Sequence, residues 1–194
     1  MIHNLVISGV GGQGVLFLSG LIRKAIARKF GNLTGYDNRG GAQRLGTVFS
    51  VVRFDDLSGP ARFMGLDFPD READYILGLE ATEALRFTPK VCAKTRLLLD
   101  EFIVVPTNYR RQDRDYYTIE EVAFHFKSLK PANLIVYPYR RIAQERFKST
   151  LDANLIMLGE MLKTTADFLS PLDFAKDASR SEMERIMTGF NMKK

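Results

Sequence analysis

The segment Leu5–Gly14, LVISGVGGQG, constrains the fold of this 194-residue chain more than any other. A short apolar run ends in Gly9, Gly11, Gly12 and Gly14, and an apolar pattern of helical period begins at Val15. A strand that turns directly into a helix needs residues that accept positive φ and project no side chain into the turn. The same turn leaves backbone amides open at a helix start, where an anion is favoured. It therefore reads either as a phosphate cradle or as a place where helix and strand pack closely.

The pattern that follows alternates strands and helices. Asn4–Ser8 reads as a buried parallel strand, and Val15–Phe30 as a helix with Val15, Leu18, Ile22, Ala25 and Ile26 on one stripe. Leu33–Asp37 reads as a second strand, which makes the opening a β-α-β unit. Thr47–Phe54 and Tyr75–Leu79 are further strands, and Ala81–Phe87 is a short helix closed by Thr88-Pro89. Arg96–Asp100, Phe102–Val105 and Asn133–Tyr137 are extended. Thr118 with Glu121 forms a capping box that opens the helix Ile119–Leu129. Arg140–Phe147 and Leu151–Thr164 read as helices, the second striped by Leu151, Leu155, Leu158 and Leu162. The expectation is one α/β domain over residues 1–194, three layers around a largely parallel sheet. Residues 167–194 form a C-terminal helical tail, which packs on the domain or on a partner subunit.

Composition removes several classes of function. Cys92 is the only cysteine, so the chain offers no disulfide framework, no four-cysteine cluster and no cysteine zinc site. With only two histidines in the chain, Cys92 lacks an evident base and reads as a structural thiol. His125 reads as a packed or surface histidine rather than a ligand. Glu120-Glu121 and Asp113/Asp115 read as a helix start and a solvated loop, not as an acid/base pair. Arg140-Arg141 reads as a helix face or a contact with an acidic subunit. No signal peptide or membrane-length run is present, so the expected setting is the cytoplasm, with no membrane and no nucleic acid as partner.

Gly9, Gly11 and Gly14 match G-x-G-x-x-G in its proper context, and Asp37 lies 23 residues after Gly14, near where an acid holds a ribose hydroxyl. That pattern supports a free-standing NAD(P)- or FAD-binding protein. It equally supports a scaffold whose glycines bind nothing.

A second loop points elsewhere. Asn38–Gly46 reads NRGGAQRLG and leads into the strand that begins at Thr47. Gly9–Gly14 followed at this distance by Gly41-Ala42-Gln43-Arg44 resembles the gamma subunits of the 2-oxoacid:ferredoxin oxidoreductases. Ala73-Asp74-Tyr75-Ile76-Leu77 with Glu83-Ala84-Leu85-Arg86, and Ala153-Asn154 with Leu158-Gly159, extend the resemblance over roughly residues 1–165. Arg39 stands where that family usually has histidine, and Leu45 where it usually has glycine.

The resemblance implies a Rossmann-like subunit that is not catalytic alone. Its complex would oxidatively decarboxylate a 2-oxoacid to an acyl-CoA or acid and pass electrons to ferredoxin or another acceptor. Thiamine diphosphate and iron–sulfur clusters are implied in partner subunits. It also implies that this chain helps to present coenzyme A at the carboxyl edge of the sheet. The residues assigned to that role are Gly9, Gly11, Gly12, Gln13, Gly14, Asn38, Arg39, Gly41, Gln43 and Arg44. No catalytic residue and no metal ligand is assigned.

Overall fold

A computed structural model describes residues 1–40, 46–57, 60, 62–111, 115–165 and 168–193. In chain order the elements begin with β1 (Ile2–Val10), α1 (Val15–Lys29), β2 (Leu33–Arg39), β3 (Thr47–Asp55) and β4 (Tyr75–Gly78). Next come α2 (Ala81–Ala84), β5 (Arg96–Asp100), α3 (Thr107–Arg111), α4 (Ile119–Ser128) and β6 (Asn133–Tyr137). The chain then leaves the sheet for α5 (Tyr139–Phe147), α6 (Ala153–Leu162) and α7 (Arg180–Asn191).

The strands form one six-stranded mixed sheet in the order β2-β3-β1-β4-β5-β6. β1, β4, β5 and β6 are parallel neighbours, whereas β3 runs antiparallel to both β1 and β2. The sheet is therefore largely parallel, with β3 alone reversed. The simple β-α-β opening expected from the sequence is corrected here, because β3 lies between β1 and β2. The reason is burial. β3 pairs with β1 from Ile2↔Asp55 to Val10↔Thr47, and its last six residues are buried. β2 carries Asp37, Asn38 and Arg39, all exposed, and such polar residues suit an edge.

Alternation along the strands feeds two apolar layers. Leu5, Ile7, Val52, Phe54, Leu77 and Leu98 face α1 and α6, together with Tyr139 of α5 and Ile186 of α7. Val6, Val51, Ile76, Leu97 and Leu99 face Ala81 and Ala84 of α2 and Val122 and Phe126 of α4. This is the three-layer sandwich the alternation predicts.

Several local expectations change. Pro89 does not end the turn after α2 but sits inside a 3₁₀ segment, Leu85–Lys90. Phe102–Val105 is not a strand, and α3 interrupts the expected loop after it. Leu151 lies outside α6, in a 3₁₀ turn, and is 54% exposed. α6 itself is not amphipathic in use, because all ten of its residues are buried between the other helices and the sheet. α7 opens with a capping box from Ser179 and Glu182 and packs on α6. A Cβ at Gly159 would lie 1.9 Å from the Ile186 carbonyl, and one at Gly189 would lie 1.9 Å from the Ile156 carbonyl. The two backbones thus touch reciprocally, and the C-terminal tail packs on its own domain.

Candidate functional site

α1 leaves β1 toward one face of the sheet and α2 leaves β4 toward the other. The carboxyl ends of these adjacent strands form the switch point at which open α/β sheets place ligands. Here the glycine turn makes one wall of that crevice, and side chains of the chain itself occupy much of it.

Gln13 is buried and spans the crevice. Its Oε1 accepts the Val10 N–H at 2.9 Å, and its Nε2 donates to the Leu79 carbonyl at 3.0 Å. A Cβ at Gly9 would stand 2.5 Å from Gln13 Oε1. Gly14, the residue before α1, has φ 78°, and a Cβ there would stand 2.4 Å from Asn154 Nδ2. That amide, brought in by α6, donates to the Gln13 carbonyl at 3.3 Å and the Gly14 carbonyl at 3.4 Å. Gly9 and Gly14 therefore make room for two internal amides. Gly12 differs: its φ is 96°, and a Cβ there would meet open space.

The other wall is acidic. Glu80 is buried and caps α2, accepting the Glu83 N–H at 2.7 Å, the Val104 N–H at 2.8 Å and the Thr82 hydroxyl at 2.8 Å. Burial pushes its pKa up, and the backbone donors act in the opposite direction. Tyr116 donates to Thr82 Oγ1 at 3.2 Å, and Thr47 donates to Glu83 Oε1 at 3.2 Å. Glu80, Thr82, Glu83 and Tyr116, with Val10 and residues 104–107, line a cavity of about 220 Å³. Two carboxylates beside so small a space oppose the entry of a diphosphate.

The dinucleotide reading fails at its acid. Asp37 lies on β2, two strand spacings or roughly 10 Å from β1. Its carboxylate is held by Arg23 Nη2 at 2.9 Å and by the Ser50 hydroxyl at 2.7 Å. The acid is an internal partner of α1, not a free acceptor at the crevice.

One hydrogen bond joins the glycine turn to the described end of the second loop, from the Gly11 N–H to the Gly46 carbonyl at 2.9 Å. Within that second loop, the Gly40 N–H donates to the Thr47 carbonyl at 2.7 Å. Asn38 and Arg39 are exposed at the carboxyl end of β2. Gly41, Gln43 and Arg44 lie outside the described residues.

Sequence reasoning assigned no role at this edge to Glu80, and it quoted Asn154 only as part of a pattern. An amide inside the apolar run ANLIMLGEML was the available signal for the second. Glu80 escaped because glutamate is an unusual helix cap.

Elsewhere the simpler readings hold. His125 Nε2 lies 3.0 Å from Thr88 Oγ1, and Thr118 and Glu121 form the capping box. The Arg140 guanidinium lies 4.2 Å from the Phe102 ring centroid, and Arg141 lies 3.8 Å from Glu101. Asp100 is buried and accepts from the N–H groups of Phe102 and Arg140. Burial pushes its carboxyl up to about 6. Among the described residues no helix is long and apolar enough to cross a membrane, and no cluster of three or more His, Cys, Asp or Glu could hold a metal ion.

A family model described as pyruvate ferredoxin/flavodoxin oxidoreductase matches residues 4–189. The indolepyruvate oxidoreductase subunit IorB of Archaeoglobus fulgidus is 29% identical over 190 residues, covering 98% of this chain and 90% of that one. The fold is similar to that of the keto/oxoacid ferredoxin oxidoreductase gamma subunit from Geobacter sulfurreducens. The TM-score is 0.63 at 15% identity, over 97% of this chain and 96% of the other. It is also similar to part of the 2-oxoglutarate:ferredoxin oxidoreductase of Magnetococcus marinus, solved with 2-oxoglutarate, coenzyme A and succinyl-CoA. There the TM-score is 0.62 at 16% identity, over 98% of this chain and 30% of that one.

Proposed function

The chain belongs to the pyruvate ferredoxin/flavodoxin oxidoreductase family, and from that membership we propose that it is the gamma-type subunit of a thiamine-dependent 2-oxoacid oxidoreductase, without catalytic activity of its own. The observation that carries this reading is the end-to-end likeness to a curated oxidoreductase subunit, over 98% of this chain. The geometry supports it. Gln13, Asn154 and Glu80 occupy the crevice where a self-sufficient dinucleotide enzyme would bind its cofactor.

The complex would remove carbon dioxide from a 2-oxoacid, pass two electrons to an acceptor and release an acyl-CoA or acid. Thiamine diphosphate would supply carbanion stabilisation, and the residues of this chain's switch-point cavity do not fit it. One cysteine cannot ligate a four-cysteine cluster, so the clusters are assigned to partners as well. Electron transfer to ferredoxin fits the reducing cytoplasm, which is the compartment assigned.

Coenzyme A fits the surface above the crevice better than its interior. Gly12 faces open space, α1 has no acidic residue in its first turn, and Arg39 is exposed at the carboxyl end of β2, the edge strand two places from β1. These features favour an anion at the surface. We assign a phosphate or pantetheine contact to Gly11, Gly12, Asn38, Arg39, Gly41, Gln43 and Arg44; Gly9, Gln13 and Gly14, expected at the same site, take the supporting role that their internal contacts give them.

Native mass spectrometry of the purified complex tests the main reading. The expected partners are cysteine-rich and thiamine-binding polypeptides, and turnover should be assayed with indolepyruvate, pyruvate and 2-oxoglutarate. Recovery of a lone chain carrying nicotinamide or flavin would replace this reading with the free-standing cofactor protein. For the coenzyme A edge, Gly12→Val and Arg44→Ala should weaken coenzyme A affinity in the assembled complex. Unchanged affinity and turnover in both variants would withdraw the assignment.

A further inference from the structure

The sheet has a second place where adjacent parallel strands send the chain to opposite faces. β5 leads to α4, whose Val122 and Phe126 share a layer with Ala81 and Ala84 of α2. β6 leads to α5, whose Tyr139 and Ala143 lie in the layer of α1 and α6. Open α/β sheets bind ligands in the crevice beyond the carboxyl ends of such strands. At the β1/β4 crevice the chain's own side chains fill the space. The β5/β6 crevice is open. A cavity of about 530 Å³ lies there, between residues 100–103 at the end of β5 and Arg140, Arg141, Gln144 and Glu145 of α5. That size is ordinary for a small-molecule site, and every residue lining it is among those described.

The charges on its walls sort into matched and unmatched groups. Asp100 is buried, and each of its oxygens accepts one backbone N–H, from Phe102 at 3.1 Å and from Arg140 at 2.8 Å. It thereby sits at the start of α5, whose positive end offsets its charge. Glu101 lies 3.8 Å from Arg141. Arg140 and Glu145 remain. The Arg140 guanidinium lies over the Phe102 ring, and neither it nor the Glu145 carboxylate has a hydrogen-bond or ion-pair partner among the described residues. Phe102 and Ile103 add an apolar wall. A simple anion bound here would meet the unmatched carboxylate, and a simple cation would meet the unmatched guanidinium. A ligand that carries a carboxylate, an ammonium and an apolar body answers all three features.

We propose that the β5/β6 crevice is a binding site for a free α-amino acid with an apolar side chain. Arg140 holds its carboxylate, Glu145 its ammonium, and Phe102 and Ile103 its side chain. The assignment does not depend on the gamma-subunit reading.

The test titrates L-phenylalanine into the full chain, followed by saturation-transfer difference NMR, and binding should be saturable. Phenylacetate, phenethylamine and alanine lack in turn the ammonium, the carboxylate and the ring, and each should bind several-fold more weakly. Arg140→Gln keeps the backbone N–H that Asp100 accepts. It should weaken phenylalanine and phenylacetate about tenfold and leave phenethylamine no weaker. Glu145→Gln, at an exposed position, should weaken phenylalanine and phenethylamine about threefold and spare phenylacetate. Arg146→Gln makes the same charge change as Arg140→Gln on the same helix but outside this cavity, and should alter nothing. In the wild-type chain, amide shifts on adding phenylalanine should concentrate at residues 100–103 and 140–145, a readout that needs no variant to fold. No saturable binding, shifts centred elsewhere, or an unchanged affinity in Arg140→Gln overturns the site. Phenylacetate binding more tightly than phenylalanine would make this an anion site and overturn the amino-acid assignment. None of these results bears on the gamma-subunit reading.

Discussion

Gly14 and Asn154 should be energetically coupled, and the coupling separates a packing role for the glycine turn from a ligand role. Alanine at Gly14 would keep φ near 78°, a left-handed conformation that costs an L-residue roughly 1–2 kcal/mol. Its Cβ would also stand 2.4 Å from Asn154 Nδ2. Asn154 is only 3% exposed, so its displaced amide would lose both carbonyl acceptors without reaching water. Leaving a buried donor unsatisfied costs about 1–3 kcal/mol. Gly14→Ala should therefore destabilise by roughly 3–4 kcal/mol, combining these two effects. Asn154→Ala alone gives up two long hydrogen bonds, about 1–2 kcal/mol. In the double variant the collision vanishes and only the backbone strain and the lost bonds remain, so its cost should be about 3 kcal/mol rather than about 5. Urea unfolding of the four proteins, followed by far-ultraviolet circular dichroism at constant m-value, measures this cycle. Gly12→Ala is the control: with open space at its Cβ it should cost roughly 1–2 kcal/mol, whatever occupies position 154. Additivity of Gly14→Ala and Asn154→Ala within about 0.5 kcal/mol would refute the packing argument.

Asp100 gives a pH dependence of definite sign. Its carboxyl titrates near 6 when folded, above the ordinary aspartate value, so the folded chain holds a proton that the unfolded chain releases. Stability should fall by about 3 kcal/mol as pH rises from about 4 to 6 and then level off, and Asp100→Asn should flatten that slope in melts across the window. Tyr139→Phe should be neutral or stabilise by up to about 1 kcal/mol, because this buried hydroxyl has no hydrogen-bond partner among the described residues. Gly159→Ala should cost about 3 kcal/mol or more by forcing α6 and α7 apart, and a loss within 1 kcal/mol would contradict the backbone contact. Thr118→Ala should cost about 1 kcal/mol in denaturant midpoint by removing the cap of α4.

The sequence carried much of the fold because local physics dominates there. An apolar run ending in glycine can only be a buried strand entering a turn, and β1 and α1 followed within a few residues of where they were expected. Thr118 and Glu121 announced their helix for the same reason, since a capping box is satisfied by four consecutive residues. β2 was placed correctly along the chain but not across the sheet. Strand order depends on which strand buries both faces, and β3 competes for the place beside β1 through contacts nearly fifty residues away. The apolar stripe expected over Leu151–Thr164 understated α6 in the same way. A helix covered on every side looks amphipathic if only its leucines are counted.

The glycine turn marks the boundary between these two kinds of knowledge. The sequence by itself determined that Gly9–Gly14 joins a strand to a helix, because an apolar run that ends in clustered glycines suits the positive φ that Gly12 and Gly14 adopt. The tertiary structure decided what the missing side chains make room for. Gln13 reaches Leu79 just past the end of β4, and Asn154 arrives from α6, about 140 residues along the chain, to fill the spaces beside Gly9 and Gly14. Spacing alone cannot distinguish a glycine that admits a phosphate from one that admits an amide of its own chain. The difference lies in which group approaches, and that is fixed only when distant elements pack.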